Sequence, residues 1–207
     1  MSHIPVLLMK TSPKGLHFIL RHESLKGVSE HLHWPGGSSG VTLGPGYDMK
    51  ERTRTQIAAD MAGIGLNKAT ADKVAAAAKL TGSAAQDFAD DNEDLVTLTD
   101  QQQTNLLSRV VPAYEAVVKR NISTELSQHQ FDALVSFCYN PGGSFLPVAY
   151  ALNTGKISHG MHVIKTRIVT GHKKSGGLLH RRLDEIQLFL HGAYHRHEHK
   201  THTGASG

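Results

Sequence analysis

Along most of the chain, apolar residues recur three and four positions apart, and this spacing predicts helices. The first 15 residues read as an extended lead-in. Leu16, Phe18, Ile19, Leu20, Leu25 and Val28 then predict a helix over 16–30, followed by a loop through His31–Pro35 that carries Trp34. Beyond residue 48 the helical pattern resumes. Ile57, Ala58 and Met61 share a face over 49–62, with Asp48 as candidate cap. An alanine-rich helix is expected over 67–80 with Gly82 as its stop, and a short helix over 84–91. Thr99 opens another helix, which Pro112 kinks or divides. Ser127 and Gln130 have capping-box spacing. They precede a helix over 128–139 with Phe131, Leu134, Val135 and Cys138 inward. Further helices are expected over 145–153 and, as a helix or mixed segment, over 157–170. After a basic flexible loop at 171–177, an amphipathic helix over 178–190 places Leu179, Leu183, Ile186 and Phe189 or Leu190 inward.

One stretch breaks the helical pattern. Residues 36–48 hold five glycines and one proline in thirteen positions, so they cannot be regular helix. Val41 and Leu43 alternate with Thr42, and Tyr47 follows, which predicts a short β-ribbon with tight turns. The fold class expected is mostly α (α+β), with one small β element near the N-terminus. No internal repeat is visible. After Gly192 the sequence loses its apolar face, and the His-rich run 193–207 reads as a disordered tail.

Composition narrows the function classes. The chain has 207 residues, 39% hydrophobic and 19% charged, enough for one core or two small lobes sharing an interface. A single cysteine, Cys138, excludes an intramolecular disulfide and reads as a buried, inert thiol. The net charge of +4 favours polyanions without choosing among nucleic acid, anionic cell wall and membrane surface. No recognised nucleic-acid motif accompanies it, and much of the basic charge lies in loop and tail. No apolar run is long enough to span a membrane, and residues 1–10 make a poor signal peptide. His31-Leu32-His33 and the alternating histidines from His195 lack the helical i, i+4 spacing of a zinc pair, and no HExxH is present. The glycine-rich stretch lacks the Gly-Lys-Ser/Thr of the Walker pattern, which argues against a phosphate loop. No metal or cofactor is expected.

What remains is a constellation suited to hydrolysis. Glu23 lies near a helix end, upstream of the ribbon, while Thr42 and Asp48 lie on the ribbon. Glycoside hydrolysis needs an acid for the leaving oxygen and a second group to activate water. The same residues also fit a surface acid, an ordinary strand residue and a helix cap. Trp34 and Tyr47 flank the ribbon, where an aromatic ring can stack on a sugar or pack a core. Asn140 can bind an acetamido group or cap its turn.

These residues carry a resemblance. Glu23, then Gly40-Val41-Thr42-Leu43-Gly44-Pro45-Gly46-Tyr47-Asp48, resembles the phage-type lysozymes and, more closely, the pesticin-like antibacterial muramidases. In the phage branch the Asp precedes the Thr. Here that position is empty apart from Glu30, and Asp48 follows Thr42 by six residues as in the pesticin-like branch. Gln130 to Gly142 resembles the family's Gln-x-x-Ala-Leu-x-Ser-Phe-x-Phe-Asn-x-Gly helix, with Tyr139 at the second Phe. Gly177 to Glu185 resembles its late Gly-Leu-x-x-Arg-Arg-x-x-Glu helix.

The resemblance implies a lysozyme-like two-lobe fold within a domain over 1–192, with a small β-containing lobe at about 16–65 and a helical lobe at about 66–192. It implies cleavage of the β-1,4 bond between N-acetylmuramic acid and N-acetylglucosamine in peptidoglycan. Glu23 is then the general acid, and Asp48 and Thr42 position the attacking water. Trp34, Tyr47, Asn140 and Arg181 become candidate substrate contacts. One of Arg181 and Arg182 is expected either to hold Glu23 or to lie on a solvated helix face. A monomer acting at a target cell wall or in its periplasm is expected, exported by a dedicated system or within a larger protein, with an immunity protein as a possible partner. The rival reading is a non-catalytic glycan-binding module.

Overall fold

A computed structural model describes residues 4–170 and 173–195. Most of the His-rich run, from residue 196 onward, lies outside the described residues, as do Gly171 and His172 of the basic loop. The expected lead-in is partly helical: Val6–Leu8 makes a 3-10 turn, and α1 spans Pro13–Glu23. Ser12 caps α1 by accepting the Gly15 N–H, and Pro13 occupies the first turn, where no N–H is needed. The helix therefore starts earlier than expected and stops at Glu23, with a run of turns to residue 30.

Strands β1 (Thr42–Leu43) and β2 (Tyr47–Asp48) form the expected antiparallel ribbon, pairing Thr42 with Asp48 and Leu43 with Tyr47. The three-residue turn needs Gly44 at φ 61° and Gly46 at φ 131°, conformations closed to most side chains. Helices α2 (Arg54–Gly63), α3 (Lys68–Ala75) and α4 (Gly82–Asp91) follow. Thr53, in a capping box with Gln56, caps α2, so Asp48 is not its cap; a turn separates the two. Gly82 opens α4 instead of closing α3.

Helix α5 (Asp100–Ser108) starts at the expected Thr99 cap, and Pro112 begins the separate α6 (Pro112–Asn121). Helix α7 spans Gln128–Tyr139, as the capping signal predicts, with the Gln130 side chain accepting the Ser127 N–H at 2.9 Å. Helices α8 (Leu146–Asn153) and α9 (Ile157–Thr166) follow. The basic loop is partly a hairpin of β3 (Val169–Thr170) and β4 (Lys173–Lys174). Helix α10 (Gly176–His191) ends at Gly192 in the left-handed conformation.

Its inward face differs from the apolar stripe expected. Leu183 and Leu190 are exposed, and the buried face carries Arg181, Arg182 and Glu185 beside Leu188 and Phe189. Two buried clusters organise the packing. One joins Val6–Leu20 to Leu107–Phe189, centred on α7 against α1, α6 and α10. The other runs from Leu32 to Leu106, so residues 71–106 pack with the ribbon. Asp132, fully buried on α7, draws the ends of the first cluster together. It accepts from Ser12 N at 3.0 Å, Gln128 Nε2 at 2.9 Å and Tyr194 Oη at 2.7 Å, and also from Ser12 Oγ. Tyr194, at the start of the expected tail, is thus packed against the body.

Candidate active site

Glu23 is the last residue of α1, where the helix meets the loop leading to the ribbon. Its side chain is 21% exposed, and its Oε1 accepts from Arg181 Nη1. Oε2 accepts no hydrogen bond from the described residues. Arg181 is only 3% exposed and is held from two other directions: Nε donates to Glu185 Oε1 at 2.8 Å, and Nη2 to the Ser136 carbonyl at 2.9 Å. Burial works against its charge. Glu185 and Glu23 outweigh that penalty and hold the guanidinium pKa above its ordinary value.

Arg182 braces the same cluster. Its Nη1 meets both oxygens of Glu185, Nε donates to the Arg167 carbonyl at 2.8 Å, and Nη2 donates to the Asn140 carbonyl. Of the two alternatives for the arginine pair, the structure has the buried one. Arg181 is engaged with Glu23 and is not a free substrate contact. This corrects the substrate-binding role expected for it: the three directions of its fork are already taken.

Thr42 and Asp48 face each other across the ribbon. The Asp48 carboxylate accepts the Lys50 N–H at 2.8 Å and the Gly40 N–H at 3.2 Å on both oxygens. Gly40 is required here, because a Cβ would strike Asp48 Oδ1 and come within 2.7 Å of Lys50 N. The Thr42 hydroxyl donates to the Gly40 carbonyl at 3.2 Å, which leaves its lone pairs as acceptors. A carboxylate has about four acceptor sites, so Asp48 also keeps capacity for a water.

Two paths tie Glu23 to the ribbon turn. On one side Ser29, missed by the sequence reading, accepts the Leu25 N–H with its hydroxyl at 2.8 Å. Its carbonyl accepts the Gly44 N–H at 2.8 Å. On the other side, Arg181 links Glu23 to Ser136, and Tyr139 on the same helix donates its hydroxyl to the Pro45 carbonyl. Tyr114 on α6, also missed, packs against Tyr139 with the rings tilted by 43° and their centroids 4.6 Å apart. Burial and the Glu23 charge push both phenols above their ordinary pKa. Tyr114 carries no sequence signal; Tyr139 stands where the resembled family helix has its second Phe, a departure that does not by itself point to the ribbon turn.

The remaining candidates separate. Tyr47 is fully buried, its hydroxyl donates to Asp60 Oδ2 at 2.5 Å, and the Arg52 guanidinium lies 4.1 Å from its ring centroid. Its role as a sugar platform is therefore corrected to core packing. Trp34 is half-buried, with Nε1 donating to the Ser39 carbonyl at 3.1 Å. It lines a hollow of about 220 Å³ with His31, His33 and Asp90. Asn140 is exposed at the end of α7, its carbonyl engaged by Arg182. Glu30 is partly exposed and uses Oε1 to accept the Gly27 N–H.

The helices and ribbon that carry this acid follow the fold of the phage-type lysozymes. An endolysin from Escherichia coli O157:H7 phage FAHEc1 superposes with a TM-score of 0.58 at 22% identity, over 91% of this chain and 98% of its own. The muramidase domain of SpmX from Asticaccaulis excentricus does so with a TM-score of 0.54 at 22% identity, over 87% and 97%. At these identities the likeness is one of fold. The chain belongs to the family described as Domain of unknown function (DUF8812), whose model matches residues 22–135, from just before Glu23 into α7. In sequence, 98 residues are 34% identical to an endolysin of Bacillus phage PZA, covering 46% of this chain but only 38% of that protein's length.

Proposed function

We propose that this protein is a peptidoglycan hydrolase that cleaves the β-1,4 bond between N-acetylmuramic acid and N-acetylglucosamine. The observation that carries the reading is Glu23. It is a partly exposed carboxyl with one oxygen fixed by Arg181 and the other unengaged among the described residues, at the end of a helix tied to the ribbon turn. Oε1 is occupied by the guanidinium, so Oε2 is the atom that carries the proton to the departing glycosidic oxygen. Asp48 and Thr42 supply acceptors for the two hydrogens of one water. Gly40 and Lys50 fix the carboxylate that orients it. As charge develops at the anomeric carbon, the water attacks while Asp48 takes its proton, which is the inverting arrangement.

The endolysin similarity and the muramidase-domain fold support the substrate class. We further propose that the muramidase unit covers residues 1–192 and acts as an antibacterial effector or toxin domain at the wall or in the periplasm of a target cell. A producing cell would then need an immunity protein.

The test is mass spectrometry of peptidoglycan digested by the wild-type protein and by Glu23→Gln. Reducing-end muramic acid, lost by a factor of about 10² or more in the variant, is the expected result. Reducing-end glucosamine or an anhydro product would assign a different bond or mechanism. Wall binding without any released fragment would make the protein a glycan-binding module.

A further inference from the structure

Helix α7 touches both halves of the proposed catalytic set. Its Ser136 carbonyl receives Arg181, which holds Glu23. Three residues further on, Tyr139 reaches the Pro45 carbonyl in the turn that joins Thr42 to Asp48. Positions three apart lie on the same helix face, one turn along the axis. One rigid element thus carries the acid's brace and the ribbon's brace side by side. We infer that Tyr139 is a positioning residue that sets the separation between Glu23 and the water-orienting pair Thr42 and Asp48. The inference rests on the catalytic reading of those three residues.

Several observations converge on this contact. Gly46 sits directly under the Tyr139 hydroxyl, where any Cβ would collide with it, so the turn is shaped to receive the phenol. The phenol stays protonated, and so remains a donor, because burial and the nearby Glu23 charge hold its pKa well above the usual value. The Tyr114 ring, packed at 4.6 Å, leaves the Tyr139 ring little room to swing away. The Ser29 carbonyl holds Gly44 from the opposite side. Without the Tyr139 hydroxyl the turn keeps the Ser29 bond to Gly44 but loses its hydrogen bond to α7, so its distance from that helix is less tightly set. Catalysis is sensitive to such shifts, since a displacement of about 1 Å can cost about 10²-fold in rate.

Tyr139→Phe removes only the hydroxyl. The expected result is a fall in kcat of about tenfold, with KM changed by less than about twofold and most of the thermal stability kept. A residue acting through ribbon position must also be non-additive with the ribbon. Thr42→Ala combined with Tyr139→Phe should therefore lose less than the product of the two single losses. An unchanged kcat in folded Tyr139→Phe, or additive losses in the double variant, overturns the inference.

A second measurement is independent of activity. Spin labels at Glu51→Cys and Gln187→Cys, both exposed positions, report the distance between the ribbon region and α10. The native Cys138 thiol is buried and will not take label. Loss of the hydroxyl should lengthen or broaden that distance, and an unchanged distribution overturns the inference. If the wild-type protein proves inactive while the distance responds to Tyr139→Phe, the catalytic reading fails and the strut stands.

Discussion

Arg181 reaches Glu23 from a different core helix, 158 positions away in the chain, and meets it with a guanidinium already fixed by Glu185 and Ser136. The acid's orientation is therefore set by a buried ion network and not by the loop beside it. Arg181→Lys keeps the charge but cannot fork toward three partners. We expect it to slow wall clearance by about tenfold or more while the protein stays folded. Arg181→Met also leaves Glu185 with one cationic partner fewer, and should cost about 3 kcal/mol in urea unfolding. Equal clearance by Arg181→Lys and wild type would remove Arg181 from the site.

Asp48 combines a structural and a chemical task, and two substitutions separate them. Asp48→Ala strips acceptors from the Gly40 and Lys50 N–H groups and should destabilise by about 1–3 kcal/mol. Asp48→Asn keeps one acceptor oxygen but loses the base. It should hold most of the stability and lose about 10² or more in clearance. Circular dichroism melts paired with clearance rates read the two effects. Full activity in Asp48→Asn would reassign the second acid.

Asp132 joins the start of α1 to α7 and to Tyr194. Asp132→Ala leaves the Ser12 N–H and three side-chain donors without their acceptor, and should lower stability by about 3 kcal/mol or more. Tyr194→Phe removes one neutral donor and should cost about 1 kcal/mol. Denaturant midpoints of the two variants check the ranking.

Alkaline pH should loosen the fold through groups held protonated inside it. The Cys138 thiol is pushed up by burial from 9.0 to about 12. Tyr47, Tyr114, Tyr139 and Tyr194 all lie above the phenol value of 10.0, with burial the largest cause for each. In the unfolded chain these groups release protons near their ordinary values, while the folded chain keeps them. The folded state then binds more protons, so unfolding free energy falls as pH rises. The loss begins near pH 9 and deepens through the phenol range. Melting temperatures across that range test it, and absorbance at the phenolate band should show delayed tyrosine ionisation in the folded protein.

Legibility in the sequence followed from how local each determinant is. Helix α7 could be read to the residue because its start carries a capping pair and its end a Pro-Gly-Gly turn. The ribbon was readable because Gly44 and Gly46 permit its turn. Helix α10 was readable as a helix but not as to its face. Arg181, Arg182 and Glu185 satisfy one another when buried, and hydrophobic periodicity scores each of them as outward. The roles of Tyr47 and Tyr139 are hidden from the sequence for a related reason. The partners that decide their roles, Asp60 and the Pro45 carbonyl, are known only once distant segments pack. The division between the two cores is not legible in the sequence, because helices α3 to α5 carry no local mark of the cluster they join.

Trp34 is the chain's only tryptophan, and it packs against the cluster that contains the ribbon. Indole fluorescence is therefore a private signal of that half of the molecule, while far-ultraviolet ellipticity is dominated by helices on both sides. Melting curves followed by the two signals will coincide if the cores unfold as one cooperative unit. They will part if the ribbon half opens first, and the gap between them would measure how tightly α5, α7 and the Tyr139 strut bind one half to the other.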